Sequence, residues 1–201
     1  MSETEQTADP AHRWLNASRT LLFVMGMTFL IAIFQFGYGL TVSEGSAAVV
    51  LDSDVLNPAS MPEGVLKGVE ASATFEYSNI TDLADRARIY LGDVAMWLSI
   101  AFTAFVLSRF ARHLADGEPL VGPMRRRDWD AAAGVAVAWA VVVPLGVWAQ
   151  GTAVIAAAGE PSGIDPVLAI GWPWVVVAIV FNVMARLDRL PGAAPESDEP
   201  A

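Results

Sequence analysis

The sequence predicts an all-α membrane protein, a bundle of four transmembrane helices with a small extracytoplasmic β-hairpin in the first outer loop. Of its 201 residues, 54% are hydrophobic and 17% charged, whereas a soluble globular domain carries about a quarter charged residues. The apolar residues lie in four long blocks, each with a charge-free centre. Buried helices of a soluble bundle are the alternative, but they are seldom this long and charge-free four times in succession.

The four blocks divide the chain into alternating spans and loops. A hydrocarbon core of about 30 Å requires roughly 20 apolar helical residues. A cleavable signal peptide is the alternative for the first block, although a signal core has only about 7–15 apolar residues. The predicted segments are an N-terminal tail (1–19), first span (20–42), outer loop (43–89), second span (90–112), hairpin (113–128), third span (129–149), outer loop (150–165), fourth span (166–185) and acidic tail (186–201).

Basic residues predict the orientation of the spans, because Lys and Arg near span ends stay on the cytoplasmic side. Nine bases flank one side of the predicted bundle, and Lys67, Arg86 and Arg88 flank the other. Both termini are therefore expected in the cytoplasm, in the plasma membrane. The nine bases are Arg13, Arg19, Arg109, Arg112, Arg125, Arg126, Arg127, Arg186 and Arg189.

The first outer loop has the pattern of two short strands. Residues 47–51 form an apolar run, and residues 69–78 alternate between apolar and polar side chains. Period-two alternation is typical of a half-buried strand, so the two segments predict an antiparallel pair. Asn79 then resembles a helix cap, and its helix is expected to continue into the second span.

Several classes of function lack the residues that they require. The formal net charge of −10 argues against nucleic-acid binding, and the absence of Cys excludes disulfides and thiol chemistry. No phosphate loop, dinucleotide fingerprint or nucleophile elbow is present, and neither His12 nor His113 has metal-ligand spacing. We therefore expect no catalytic residue, cofactor or metal, and a protein that is not an enzyme.

Few polar groups lie within the predicted spans. Gln35 and Asn182 are expected to form hydrogen bonds between helices, and Asp93 is expected at the outer edge of the second span. The alternative is that these residues line a path in a small transporter or channel subunit that acts as an oligomer. Small residues at four-residue spacing in the third span predict either packing within the bundle or a homo-oligomer contact: Ala132, Ala136 and Ala140.

One motif, RFARHLADGEPLVGPMRRR over residues 109–127, lies between the second and third spans. Asp116 and Gly117 should end the preceding helix, because Gly accepts the left-handed conformation of a helix cap. Pro119 should keep the following chain extended. The Arg run at 125–127 can then lie beside anionic lipid headgroups, with Glu118 paired to one of these arginines.

This hairpin resembles the DUF2975 family of bacterial multi-pass membrane proteins. Gly117, Glu118 and Pro119 match the family's element after the second span, while Leu120 stands where an aromatic residue is usual. The resemblance implies no catalytic residues. It does imply a membrane partner for a small helix-turn-helix regulator, and therefore a sensory or regulatory role in which Gly117, Glu118, Pro119, Arg125, Arg126 and Arg127 contact that partner or lipid.

Overall fold

The computed structural model describes residues 10–41, 44–51, 69–76, 83–118, 126–157, 159 and 163–186. The predicted helix cap at Asn79 lies outside these ranges. The elements in chain order are α1 (Pro10–Gly39), β1 (Glu44–Leu51), β2 (Val69–Glu76), α2 (Leu83–Ile89), α3 (Leu91–Ala115), α4 (Arg126–Val137), a π-helical segment (Ala138–Val142), α5 (Val143–Ala157), β3 (Ile164–Pro166) and α6 (Trp172–Met184).

Within the described residues, three helical rods are long and apolar enough to cross a membrane. They are α1 with 30 residues, α3 with 25, and the continuous rod Arg126–Ala157 with 32. Large apolar side chains on α1 face outward, and Phe23 and Phe34 are 67% and 70% exposed. A soluble monomer rarely exposes a contiguous apolar surface of this kind. The predicted long apolar helices are thus confirmed for these three rods.

Neighbouring rods run antiparallel, which gives the bundle two distinct ends. Gly39, the last residue of α1, lies against the ring of Tyr90 just before α3 begins. We call the opposite end, where the chain carries Arg109, Arg112, Arg126, Arg127 and Arg186, the arginine end. The end at which the strands pack on α5 is called the sheet end.

Two glycines set the close crossing of α3 and α5. A methyl group added to Gly146 would lie 3.0 Å from the carbonyl oxygen of Leu91 and 3.1 Å from the Cα of Gly92. Both neighbours are backbone atoms, which cannot rotate away as a side chain could. Small residues let two helix backbones approach in this manner. The position of α3 relative to α5 therefore depends on the absence of side chains here.

Pro144 explains the π-helical segment and its link to the last helix. In a regular helix, the N–H of residue 144 would donate to the carbonyl of Ala140, but proline has no N–H. The Val143 N–H instead donates to Ala138, five residues back. The freed Ala140 carbonyl accepts a hydrogen bond from the N–H of Gly171 at 3.1 Å. A neighbouring segment thus satisfies the carbonyl that Pro144 leaves without its usual donor.

The fourth predicted span is helical only in its second part. Residues 167–171 have no regular secondary structure, and the Trp172 N–H donates to the carbonyl of Ile170 at 2.9 Å. α6 begins at Trp172 with Pro173 in its first turn, a position that suits proline's fixed backbone angle. Trp174 stacks on Trp139 with the ring centres 6.0 Å apart. At 13 residues, α6 is shorter than the other rods, so a fourth helix of full length is not confirmed.

A three-stranded sheet covers the sheet end of α5. β1 pairs antiparallel with β2, from Glu44 opposite Glu76 to Leu51 opposite Val69, as the alternating pattern predicts. β3 adds to the free edge of β1. Val49 on β1 is 1% exposed, and Gly151 on α5 lets the sheet approach closely, since an added methyl there would lie 3.2 Å from Pro166. The sheet therefore packs directly on α5.

Aromatic side chains fill the core toward the arginine end. Trp129 lies between Phe110 and Phe181, with ring centres 5.0 and 5.6 Å away. The nearby buried residues Val106, Ala132 and Val135 come from α3 and α4. This cluster joins α3, α4 and α6 directly beneath the charged groups of the arginine end.

Candidate functional site

The hairpin between α3 and α4 begins with a glycine cap. α3 ends at Ala115, the N–H of Asp116 donates to Arg112, and Gly117 adopts a left-handed backbone angle of φ +70°. That angle is unfavourable for residues with a Cβ. The prediction that Asp116 and Gly117 end this helix is confirmed. Pro119 and Arg125 lie outside the described residues, whereas Gly117, Glu118, Arg126 and Arg127 lie within them.

A buried carboxylate ties the two sides of the hairpin together. Asp128, in the first turn of α4, is 2% exposed. Its Oδ1 lies 2.7 Å from a guanidinium nitrogen of Arg109, and its Oδ2 lies 2.8 Å from Nε2 of His113. Both partners belong to the last turns of α3. A buried carboxylate needs an ion pair and hydrogen bonds to offset its loss of water; here Arg109 supplies the ion pair and His113 the hydrogen bond.

His113 links Asp128 to the first residue after the cap. Its Nδ1 lies 2.9 Å from Oε2 of Glu118, on the opposite side of the ring from Asp128. A neutral imidazole carries one N–H, so only the imidazolium can donate to both carboxylates at once. His113 is thus one partner of Glu118, and the pairing of Glu118 with an arginine of the 125–127 run stays a prediction. We call Arg109, His113, Glu118 and Asp128 the hairpin cluster.

The N-terminus of α4 also stabilises Asp128 electrostatically. The first turn of a helix carries a partial positive charge, which favours an acidic side chain there. Asp128 therefore interacts with the start of α4, with Arg109 and with His113 at the same time. The hairpin cluster fixes the angle at which α3 and α4 meet at the arginine end.

Exposed arginines surround the hairpin cluster. Arg112, Arg126, Arg127 and Arg186 all have exposed side chains. Arg126 lies 3.7 Å from Asp130, and both side chains are about half exposed. An exposed pair at this distance contributes little to stability, so the guanidinium of Arg126 stays accessible. The arginine end thus presents a surface that is basic on balance among the described residues, although Asp116, Glu118 and Asp130 are also exposed.

Comparisons with known proteins assign neither a family nor a function to the chain. No family model, curated protein or solved structure matches the chain. The likeness of the hairpin to DUF2975 therefore stays a prediction, and the function of the hairpin cluster is inferred from its own geometry.

Sequence reasoning missed most of the hairpin cluster. Asp128 directly follows the Arg run and has the appearance of a surface residue, yet it is nearly inaccessible. The sequence signal for this contact was the placement of His113 and Asp128 on the two sides of a tight hairpin. The same turn brings ligand atoms of His113, Asp116 and Glu118 within 4.8 Å of one another, although neither histidine has metal spacing in sequence. Because the His113 ring already contacts Glu118, an ion there would have to replace that hydrogen bond.

The polar residues predicted within the spans fall into two groups. Gln35 accepts a hydrogen bond from the indole N–H of Trp97 at 2.7 Å. This bond links α1 to α3, so the interhelical role predicted for Gln35 is confirmed. Asp93 lies in the first turn of α3, at the sheet end. Asn182 lies far from them on α6, and its side chain is exposed.

The stripe of alanines on α4 and the π-helical segment packs inside the bundle. Ala132, Ala136 and Ala140 are 5%, 0% and 1% exposed. Of the two alternatives that the sequence left open, packing within the bundle is the one observed. Trp139 beside them donates its indole N–H to Thr103 of α3 at 3.0 Å, which gives this mid-helix tryptophan a polar partner.

Proposed function

We propose that the chain is a four-pass protein of a bacterial plasma membrane, with both termini in the cytoplasm. The three long apolar rods support this proposal. The fourth crossing would combine the irregular residues 167–171 with α6. At 1.5 Å per helical residue and at most roughly 3.3 Å per residue of the irregular segment, the two reach up to about 36 Å, and a hydrocarbon core is about 30 Å thick.

Irregular backbone within the bilayer needs partners in the protein. The hydrogen bond from Gly171 to Ala140 supplies one such partner near the middle of the rod that contains α4 and α5. The nine bases at or near the arginine end favour its cytoplasmic location, because basic flanks are retained on that side.

Single cysteines test this topology, since the natural chain contains none. We expect a membrane-impermeant maleimide to label Thr41→Cys and Asp165→Cys in intact cells. His12→Cys, Asp116→Cys and Arg186→Cys should react only after permeabilisation. Labelling of Arg186→Cys in intact cells would place the last segment outside and contradict a fourth crossing.

We further propose that the protein acts without catalysis, as the membrane partner of a cytoplasmic regulator. The observation that carries this proposal is the hairpin cluster, in which buried Asp128 holds Arg109 and His113 beneath an exposed basic surface. Buried ion pairs beneath a surface hold its side chains in a fixed arrangement, which a partner can recognise. An acidic face of a helix-turn-helix protein, the partner class that the DUF2975 resemblance implies, has the complementary charge.

Charge complementarity governs both the rate and the specificity of such docking. Signal transfer would follow from any movement of α3 against α4, because the hairpin cluster spans both helices. A regulator bound there would respond to events at the sheet end through these two continuous rods.

Capture from native membranes in mild detergent tests the docking surface. We expect wild-type protein to retain a cytoplasmic regulator, and replacement of Arg125, Arg126 and Arg127 by Gln to reduce its recovery about tenfold or more, as loss of several ion pairs implies. The matched control replaces Arg13, Arg19 and Arg186 by Gln, which removes the same charge elsewhere at this end. Equal loss with both triple variants would show that bulk charge, and not the hairpin, attracts the partner.

A further inference from the structure

His113 lies between two carboxylates that differ in their access to water. Its Nε2 is 2.8 Å from Oδ2 of Asp128, which is 2% exposed, and its Nδ1 is 2.9 Å from Oε2 of Glu118, which is 47% exposed. A neutral imidazole has one N–H. Because water can solvate Glu118 but not Asp128, this N–H belongs on Nε2, where it satisfies the buried carboxylate. The lone pair of Nδ1 then faces a carboxylate oxygen, and two such acceptors attract each other only when they share a proton or a metal ion.

The helix cap brings a third ligand to the same place. His113 and Asp116 are three residues apart at the end of α3, a spacing that puts side chains on one helix face. Gly117 then reverses the chain, and the backbone N–H of Glu118 donates to the carbonyl of His113 at 3.0 Å. As a result, ligand atoms of His113, Asp116 and Glu118 all lie within 4.8 Å of one another. The three ligands therefore meet through the conformation of the cap, which spacing in the sequence does not reveal.

Asp128 orients the imidazole as a carboxylate behind a metal-bound histidine does. Histidine ligands usually donate their other ring N–H to such a carboxylate, which fixes the tautomer and the direction of the ring. Here Asp128 accepts from Nε2, and Arg109 holds Asp128 in turn at 2.7 Å. Nδ1 is thereby directed at Glu118. This buried support is an observation separate from the exposed acids themselves, and it distinguishes the group from a chance cluster of surface carboxylates.

The distances and charges suit a divalent ion. Imidazole nitrogens and carboxylate oxygens bind Zn²⁺ at about 2.0–2.2 Å, so neighbouring ligand atoms around one ion lie about 3.0–3.4 Å apart. Nδ1 and Oε2 are 2.9 Å apart, and the exposed side chain of Asp116 can rotate toward them. With a neutral imidazole, three carboxylates and the Arg109 guanidinium leave this group with two negative charges, which a divalent ion balances.

The surrounding arginines do not prevent binding. Arg112, Arg126 and Arg127 also lie at this end of the bundle, but their side chains are exposed. Water and salt screen the repulsion between such charges and an ion, whereas the three ligands contact it directly.

We infer that His113 Nδ1, Asp116 and Glu118 bind a divalent transition-metal ion, which takes the place of the proton between His113 and Glu118. One imidazole with two carboxylates suits Zn²⁺, Mn²⁺, Co²⁺ or Ni²⁺, while Ca²⁺ and Mg²⁺ prefer oxygen ligands alone. Water completes the coordination. The inference rests neither on the proposed topology nor on the regulator, because it concerns side chains of a single hairpin. Binding measured on the purified protein alone can therefore fail while partner capture succeeds, and the reverse.

Calorimetric titration of the full-length protein with Zn²⁺, in detergent and after removal of metals by a chelator, tests the site. We expect one ion to bind per chain, and Zn²⁺ at about 100-fold above its Kd to raise the melting temperature by about 5 °C or more. His113→Gln should abolish both effects. The matched control is His12→Gln, which removes the other histidine of the chain, an exposed residue on α1, and it should bind as the parent does.

Two further variants separate loss of a ligand from loss of the fold. Asp116→Asn alters an exposed side chain, so it should melt as the metal-free parent does yet bind Zn²⁺ at least about tenfold more weakly. Asp130→Asn, at another exposed acid nearby, should bind as the parent does. Asp128→Asn should weaken binding about tenfold, the lower end of the range for a carboxylate that orients a histidine ligand, because an amide oxygen still accepts from Nε2.

Three results would each overturn the inference: no binding of Zn²⁺ to the parent, equal binding by the parent and His113→Gln, or equal binding by Asp116→Asn and Asp130→Asn. The first would mean that a proton alone joins His113 to Glu118. The other two would mean that Zn²⁺ binds to acidic side chains elsewhere in the chain.

Discussion

Replacing Gly146 by Leu is expected to lower the melting temperature of the detergent-solubilised protein by about 6 °C or more. A single added methyl would already lie 3.0–3.1 Å from backbone and side-chain atoms of α3. Overpacking a tight core costs roughly 1–3 kcal/mol and sometimes more, and for a chain of this size each kcal/mol corresponds to about 2–4 °C. A leucine would push α3 and α5 apart and weaken their whole contact.

The matched control is Gly26→Leu on α1. A methyl group added to Gly26 would meet no atom within 4 Å, so its leucine would point outward. Leucine favours a helix over glycine by up to about 1 kcal/mol, and this control should melt at or above the parent temperature. If Gly146→Leu also melted near the parent temperature, the close crossing at Gly92 and Gly146 would be wrong.

Helices, strands and turns could be predicted from sequence where the order of apolar, polar and glycine residues directly reflects their surroundings. The three rods follow from charge-free apolar blocks, and the β1–β2 pair follows from strict alternation. Gly117 ends α3 because its position requires a left-handed backbone angle. Pro144 predicts a carbonyl left without its usual donor, although the sequence could not show that Gly171 would provide the N–H.

Elements decided by distant neighbours could not be predicted. β3 has three residues, too few for a period, and exists because the free edge of β1 lies beside it. Residues 167–171 are as apolar as α6, so composition does not distinguish this irregular segment from helix. Pro173 preceded by Gly171 is a helix-start signal in retrospect, and it explains why α6 begins at Trp172 instead of near Pro166.

The sequence predicts where the candidate site lies but not all of the residues that form it. The sequence predicts the hairpin and its arginines but not the role of Asp128, because the burial of Asp128 arises from packing between α3 and α4. An aspartate after three arginines resembles a solvated charge. The contact with His113, 15 residues away, becomes visible only when the hairpin closes.

Replacing Asp128 by Asn should destabilise the protein by about 2 kcal/mol, near the middle of the range for charge-assisted hydrogen bonds. Removing one partner of a fully buried ion pair costs more, but Arg109 is 45% exposed and can regain water. The expected fall in melting temperature is about 4–8 °C. Asp130→Asn is the matched control, since Asp130 is 51% exposed and only 3.7 Å from Arg126, and it should shift melting by no more than about 2 °C.

The same pair of variants separates the role of the hairpin cluster from that of charge alone. Both substitutions remove one negative charge from α4, so both should strengthen any non-specific attraction of acidic proteins to the arginine end. Only Asp128→Asn releases Arg109 and His113 from their shared carboxylate, and only this variant should reduce capture of the regulator. Equal capture and equal melting of the two variants would mean that Asp128 does not hold α3 to α4, and the basic surface would then lack the rigid base on which its proposed role depends.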